Sequence, residues 1–461
     1  MRRKRRKEQG ISHLSTSDNM KKTRAEKAFP AIYARVAKTL PGSKAVRMLR
    51  DKAMADFKTS GLPGRGVEAW KYTNLRQLMT DSYPPATPAS GGVLMNTNEA
   101  ASHGVFSTLE RATMVFVDGH YRPELSDISP IENEVEISTL AEALNAEDPM
   151  ALDTLVMEGE TDPLANLNLA MMRDGALIRV KDGVKVSLPL HFVHINLTGA
   201  SCANTTRHIV HVGAGASLKI FQTHAGSEKA TYFTNTVFIA QIADKGALTR
   251  VKVQGDSLTA FHFGHLQAKL GEAAKLRDFT LNLGGRVTRN EVSIALAGNM
   301  ADAHVSGAYL LGGKQHCDTS IMMDHQVPEC TSTQQFRGVV DETAQGVFQG
   351  KVRVAPDAQK SDGRQMVRAL LLSERAAHYA KPELEIFADD VQCAHGATAG
   401  ELDDEAMFFL RARGIPEAQA KALLITAFIG EALDDITDLD IRDRLEELTQ
   451  NWLDWHSGAT S

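Results

Sequence analysis

The chain has 461 residues, 43% of them hydrophobic and 23% charged, with a formal net charge of −6. These proportions describe an ordinary soluble protein of two or three domains, without the strongly basic balance of a nucleic-acid binder. Four cysteines, Cys202, Cys317, Cys330 and Cys393, are too few for a disulfide framework and point to a reducing compartment; no apolar run reaches the ~20 residues of a bilayer span, so a cytoplasmic location is expected.

Residues 1–22 open on Met-Arg-Arg-Lys-Arg-Arg-Lys with no apolar segment behind it. That pattern is not a secretory signal. It reads as a disordered basic extension, with Met20 as an alternative start, and no nucleic-acid or membrane partner is expected of it.

Residues 23–165 read as a mainly helical N-terminal domain. Ser43 is a candidate N-cap, Val46, Leu49, Ala53 and Phe57 recur at helical spacing, and Gly61 is a stop. A Pro/Ala/Ser/Gly-rich linker covers about 83–93. Met114-Val-Phe-Val-Asp-Gly-His-Tyr121 is a strand entering an Asp-Gly turn. Residues 138–158 are helical again, and Asn166 to Arg173 form a short apolar segment.

Residues 166–395 read as a β core. Gly215, Gly246, Gly271 and Gly298 each open a passage of turn glycine, small residues and strand, 25 to 31 residues apart. A loose period of that size marks stacked units. Strand-only units favour a β-helix over a propeller, whose blades run to ~40 residues or more. A β-sandwich pair is the alternative.

Residues 396–461 are helical. Asp403 or Asp404 caps a helix with Met407, Phe408 and Leu410. Pro416 starts a second, with Ala420, Leu423, Leu424, Ala427 and Phe428 expected on one buried face. A third carries Ile441, Leu445, Leu448, Trp452 and Trp455. A small bundle capping the solenoid end is expected, with a face to spare for docking.

The chemistry concentrates in residues 382–400. Val391, Cys393 and His395 fall two apart and share a face in extended backbone. A thiolate beside an imidazole is half of a soft-metal site. The pair is expected at an element end, where a strand gives way to Gly396-Ala-Thr-Ala-Gly400. Two ligands do not close a site that wants about four, so other segments or another chain must contribute. A buried cysteine and a satisfied core histidine are the bland alternative. His316-Cys317 and His325 with Cys330 match no closed zinc spacing, and Cys202 is isolated. Catalytic signatures are missing. There is no Gly-x-Ser-x-Gly, no His-Glu-x-x-His and no phosphate-binding Gly-x-x-x-x-Gly-Lys-Ser/Thr. The acidic residues of the β region are scattered, and in pairs such as Asp389-Asp390 neighbours on a strand diverge, so no acid/base couple is expected.

Several passages occur in a fixed order: Gly61-Leu-Pro, Glu68-Ala-Trp-Lys-Tyr-Thr-Asn-Leu75, Val115-Phe-Val-Asp-Gly119, His325 with Pro328, Arg337-Gly-Val, Gly346-Val-Phe-Gln-Gly-Lys351, Ala358-Gln-Lys-Ser-Asp362, Leu370-Leu-Leu-Ser373, Pro382-Glu-Leu-Glu-Ile386, Ala388-Asp-Asp-Val-Gln-Cys-Ala-His-Gly-Ala-Thr398 and Arg413-Gly-Ile-Pro416. Together they resemble the SufB/SufD family of iron–sulfur cluster assembly proteins, the SufD branch more than SufB, over about residues 60–435. The resemblance implies a right-handed parallel β-helix (solenoid) flanked by N-terminal and C-terminal α-helical regions. It implies a non-catalytic scaffold that pairs with SufB through the β-helix end and carries the SufC ATPase on the C-terminal helices. It places Cys393 and His395 at the SufB–SufD interface, holding a transient iron–sulfur cluster with a SufB cysteine, which accounts for the incomplete ligand set. A homodimer in the absence of SufB and a reduced flavin in the complex are left open. So are a SufB-like paralogue that itself builds the cluster and a carbohydrate-active β-helix enzyme.

Overall fold

The computed structural model describes residues 22–87, 105–156, 162–197, 201–227, 231–434 and 436–456. The basic extension up to residue 21, Met20 included, and the linker beyond residue 87 lie outside them.

From Ala176–Val180 to Gln392–Gly400 the chain is a succession of strands joined by short corners. Successive strands do not pair. Each pairs in parallel with the strand one full turn later, as Phe233–Ile242 does with Phe261–Leu270 and that strand with Val287–Leu296. Alternate strands therefore fall into two facing sheets, which the earlier strands Ala112–Val117, His120–Tyr121 and Val135–Thr139 extend to ten and nine strands. The result is a parallel β-solenoid, and the sandwich alternative falls. Ser217, Ala247, Lys275, Asp302, Thr331, Asp362 and Gln392 stack in one register column, 27 to 31 residues apart.

At one corner of each turn a residue takes positive φ: Gly183, Gly215, Lys245, Ala273, Met300, Glu329 and Lys360. Its N–H donates to a carbonyl one turn on, Gly215 to Asp244, Lys245 to Glu272 and Ala273 to Asn299. Of the four glycines that mark the period in sequence, only Gly215 holds this position. The stacked hydrogen bonds fix the corner firmly enough that L-residues accept it at roughly 1–3 kcal/mol each. Gly298 is small for another reason. A Cβ there would lie 2.0 Å from the backbone nitrogen of Glu272, one turn below.

Between the sheets, inward side chains stack in columns. Ile178, Val210, Ala240, Ala268, Ile294, Met323 and Val352 form one such column and belong to one continuous core. Each larger member contributes about 1.5–3 kcal/mol by leaving water.

The helical regions cover the outer faces of the sheets. Arg24–Val36, with a Thr23/Glu26 capping box, and Lys44–Ser60 lie against Phe233, Phe261 and Phe263 of the nine-stranded sheet. Ser43 occupies the N-cap position of the second helix, but its hydroxyl makes no capping bond. The C-terminal helices Glu417–Leu433 and Leu439–His456 do not cap the solenoid end as expected. They fold back over the ten-stranded sheet, whose outward Phe221, Val251, Phe279, Leu310 and Val339 need an apolar cover. The first buries Ala420, Ile425, Ile429, Ala432 and Leu433. The expected face is therefore rotated, and Leu423 and Ala427 stay exposed. In the second, Ile441, Leu445 and Trp452 are buried as expected, while Leu453 replaces the exposed Trp455.

Candidate functional site

The ladder stops at its C-terminal end. Ala377–Ile386 is the terminal strand of the nine-stranded sheet and Gln392–Gly400 that of the ten-stranded sheet. Neither has a further strand above it, so each presents a row of backbone donors and acceptors with no partner in the ladder. Pro382 lies in the first of them, where a missing N–H is tolerated only at an edge. Tyr379, Ile386 and Phe387 are exposed here, Phe387 to 59%.

Cys393 and His395 sit on this last rung. The strand continues through Gly396 to Gly400, because its parallel pairing with Asp362–Leu371 runs unbroken to Leu370. The pair is thus near the start of a strand, not at its end. Cys393 stands over Gly363 and His395 over Gln365. Both lower residues are buried, and Gln365 is bonded to Gln334 one turn further in, 3.0 Å away. The two side chains therefore continue inward-facing columns and share a face, as the spacing predicts. Cys393 is half-buried against the interior core and His395 is exposed. A Cβ on Gly363 would lie 3.4 Å from the Cys393 Sγ, so the thiol sits directly over this glycine.

Burial pushes the Cys393 thiol up, the Gly363 backbone hydrogen bond opposes the rise, and the Asp362 charge adds to it. In the chain alone Cys393 is held as a thiol. Asp389 and Asp390 lie in the exposed corner before it, with Asp390 bonded through its backbone to Gln359 and Lys360.

The other sequence candidates do not assemble into ligand sets. His316 and Cys317 face opposite sides of their strand. His316 lies 2.8 Å from the Thr73 hydroxyl on the outer face, and Cys317 is buried among Tyr309, Leu311 and Val340. His325 lies 2.8 Å from the Ser332 hydroxyl. Cys330 is buried at a corner near the Gly298 carbonyl, and Cys202 is buried too.

The Glu68–Thr73 segment braces the open end from outside. Trp70 lies under the Arg289 guanidinium, 4.1 Å from ring centroid to Cζ. Thr73 donates to Asp318, which also pairs with Arg289. Tyr72 stacks on Tyr379 at 5.3 Å and Glu68 pairs with Lys381, both on a terminal strand. Next to that end, Asp404–Arg411, capped by Asp403, one of the two aspartates expected there, buries none of its residues. It lines a cleft of about 890 Å³ with Leu372, Met407, Phe408, Arg411 and Lys421, and Phe408 is 75% exposed.

Sequence reasoning missed one cluster. His224, Asp256 and His262 meet inside the solenoid. Their separations in the chain match no ligand motif. Aligning successive turns on their period is the signal that would have found them, because all three belong to the polar side of the same interior.

Among the described residues no helix is long and apolar enough to cross a membrane. Residues 23–192 match the SufBD protein N-terminal region, and residues 195–428 match the SufBD core domain of the SUF system for FeS cluster assembly. The chain is 31% identical to the iron–sulfur cluster assembly protein SufD of Escherichia coli, over 84% of this chain and 88% of that one. It is 28% identical to an iron–sulfur cluster assembly SufBD family protein of Synechocystis, over 84% and 86%. It is 25% identical to the chloroplastic protein ABCI7 of Arabidopsis thaliana, over 94% and 90%.

Proposed function

We propose that this chain, which belongs to the SufBD family of iron–sulfur cluster assembly proteins, is a non-catalytic cytoplasmic scaffold subunit that completes a cluster-assembly site together with a SufB-type partner. The observation that carries the reading is the open last rung. Two unpaired strand edges, an exposed Phe387 and a half-buried cysteine beside an exposed histidine share one end of the solenoid. An edge-to-edge partner extends both sheets and covers this apolar rim. It also supplies the ligands that Cys393 and His395 lack.

Because burial holds Cys393 as a thiol, iron must displace the proton, and a soft ferrous or cluster iron does so through the thiolate bond. His395 adds an imidazole from the same face. The domain division follows the same logic: a basic extension (1–22), a bracing N-terminal domain (23–165), the β-helix core (166–395) and a C-terminal helical domain (396–461). In the last, Asp404–Arg411 with Phe408 and the outward Leu423 offer the docking surface for a SufC-type ATPase. ATP-driven pairing of two such ATPases moves the helices of both scaffolds. It opens the shared interface only if the ATP-bound state prefers the open arrangement.

Co-expression with SufB and SufC and anaerobic purification tests this. A stable complex should carry iron and sulfide that Cys393→Ala removes. Unchanged iron in that variant would move the cluster site off this chain, and failure to form a complex would remove the partnership.

A further inference from the structure

The polar side of the solenoid interior holds groups that the open end does not use. His224, Asp256 and His262 are buried there. Each offers one ligand atom, and the three atoms lie within 4.8 Å of one another. Among the described residues no other three His, Cys, Asp or Glu side chains converge in this way. His262 Nδ1 is 2.8 Å from Asp256 Oδ2. Its Nε2 is 2.8 Å from Lys252 Nζ, which leaves the side facing the carboxylate for a ligand. The His224 ring stands 4.7 Å from the His262 ring, centroid to centroid. His224 Nδ1 is buried with no hydrogen-bond partner among the described residues. An orphan of that kind calls for an explanation such as an ion.

We infer that His224, Asp256 and His262 form an interior binding site for a divalent first-row transition metal, with water completing its shell. Two imidazoles and one carboxylate suit Fe(II), Co(II) or Zn(II), whereas calcium and magnesium prefer oxygen alone. The ligands have the supporting bonds that orient a metal site. Gln254 Nε2 donates to Asp256 at 3.0 Å. Lys252, itself bonded to Asn290 at 3.1 Å, fixes the far nitrogen of His262. Gln222 Nε2 is 3.1 Å from His224 Nε2. Rotating that amide turns its oxygen toward the His224 Nε2 proton and frees the Nδ1 lone pair. The rotation gives up a 3.1 Å bond from Arg250, which keeps both contacts to Asp278. The metal takes the place of the proton between His262 Nδ1 and Asp256, and that proton leaves to solvent; the Lys252 ammonium passes one proton to His262 Nε2, so the ring stays a neutral imidazole whose Nε2–H donates to the Lys252 amine. Leu258 and Thr259, two and three residues beyond Asp256, are exposed, so a single short corner separates the trio from solvent.

This site uses neither Cys393 nor His395 and stands apart from the reading of the open end. The test is anaerobic titration of the chelator-treated full chain with Co(II), followed by visible absorption, for wild type, Asp256→Asn, His262→Gln and Cys393→Ala. The wild type should bind one tight equivalent with ligand-field bands and no thiolate charge-transfer band. Asp256→Asn and His262→Gln should weaken that binding at least about tenfold, and Cys393→Ala should retain it. The inference is overturned if the wild type binds no such equivalent, if folded Asp256→Asn binds it as tightly, or if Cys393→Ala loses it. The wild-type result decides without any variant, and circular dichroism verifies that each variant is folded.

Discussion

The inner turns and the last rung of the solenoid are built from the same columns, yet they do opposite things. The column of Gln334 and Gln365 ends in His395, and that of Ser332 and Gly363 ends in Cys393. Inside, each side chain is buried by the turn above and its polar atoms are mostly spent on neighbours. At the last rung no turn follows, so the same positions are left half-solvated with backbone edges free. On the proposed function, the site arises by ending a repeat and not by adding a special loop. Burial in the inner turns favours neutral, bonded groups, while the end leaves polar side chains and backbone edges open to a partner.

The contrast can be broken in order of expected effect. Cys393→Ala and His395→Ala should reduce iron and sulfide in the co-purified complex to background while leaving the melting temperature of the chain within a few degrees; a large drop in thermal stability would mean the last rung is a structural turn like the others. Gly298→Ala, by contrast, drives a methyl into the backbone one turn below and should cost about 3 kcal/mol or more in urea unfolding. A neutral result there would show that the inner stack is looser than its geometry.

The inner turns should also be acid-sensitive. Burial lowers His208 to about 3 and His325 to about 4, below the ~6.5 of an unfolded histidine. The unfolded chain binds more protons between those values. The stabilisation is therefore complete above about pH 6.5 and is lost as pH falls toward 4. Urea midpoints measured across that window should decline with acid, and His325→Gln should flatten part of the slope. A flat profile would contradict the neutral, buried state. The smallest effect belongs to the end itself. A Cβ on Gly400 meets nothing within 4 Å, so Gly400→Ala should stay within ~0.5 kcal/mol. A larger loss would show the terminal strand to be packed on its exposed side.

Much of this architecture was legible locally. The period of the β core, the Asp118-Gly119 turn with both residues at positive φ, the Asp403 cap and the shared face of Cys393 and His395 all follow from propensity and from the two-residue alternation of a strand. What was misjudged involved distant partners. Positive φ at the corners passed from glycine to Lys245, Ala273 and Met300 because hydrogen bonds from the neighbouring turn hold them. The helix Glu417–Leu433 is apolar nearly all round, so its composition left open which stripe would meet the sheet.

The sequence by itself determined that strands would repeat at a regular interval and that a thiol and an imidazole would point the same way, since both depend only on neighbouring backbone. Tertiary structure alone decided which turn is last, which outer face each helical region covers, and that His224, Asp256 and His262 would converge. Those outcomes depend on inter-turn register, which is fixed by ladder hydrogen bonds between residues some thirty positions apart and leaves no trace in any short stretch of chain.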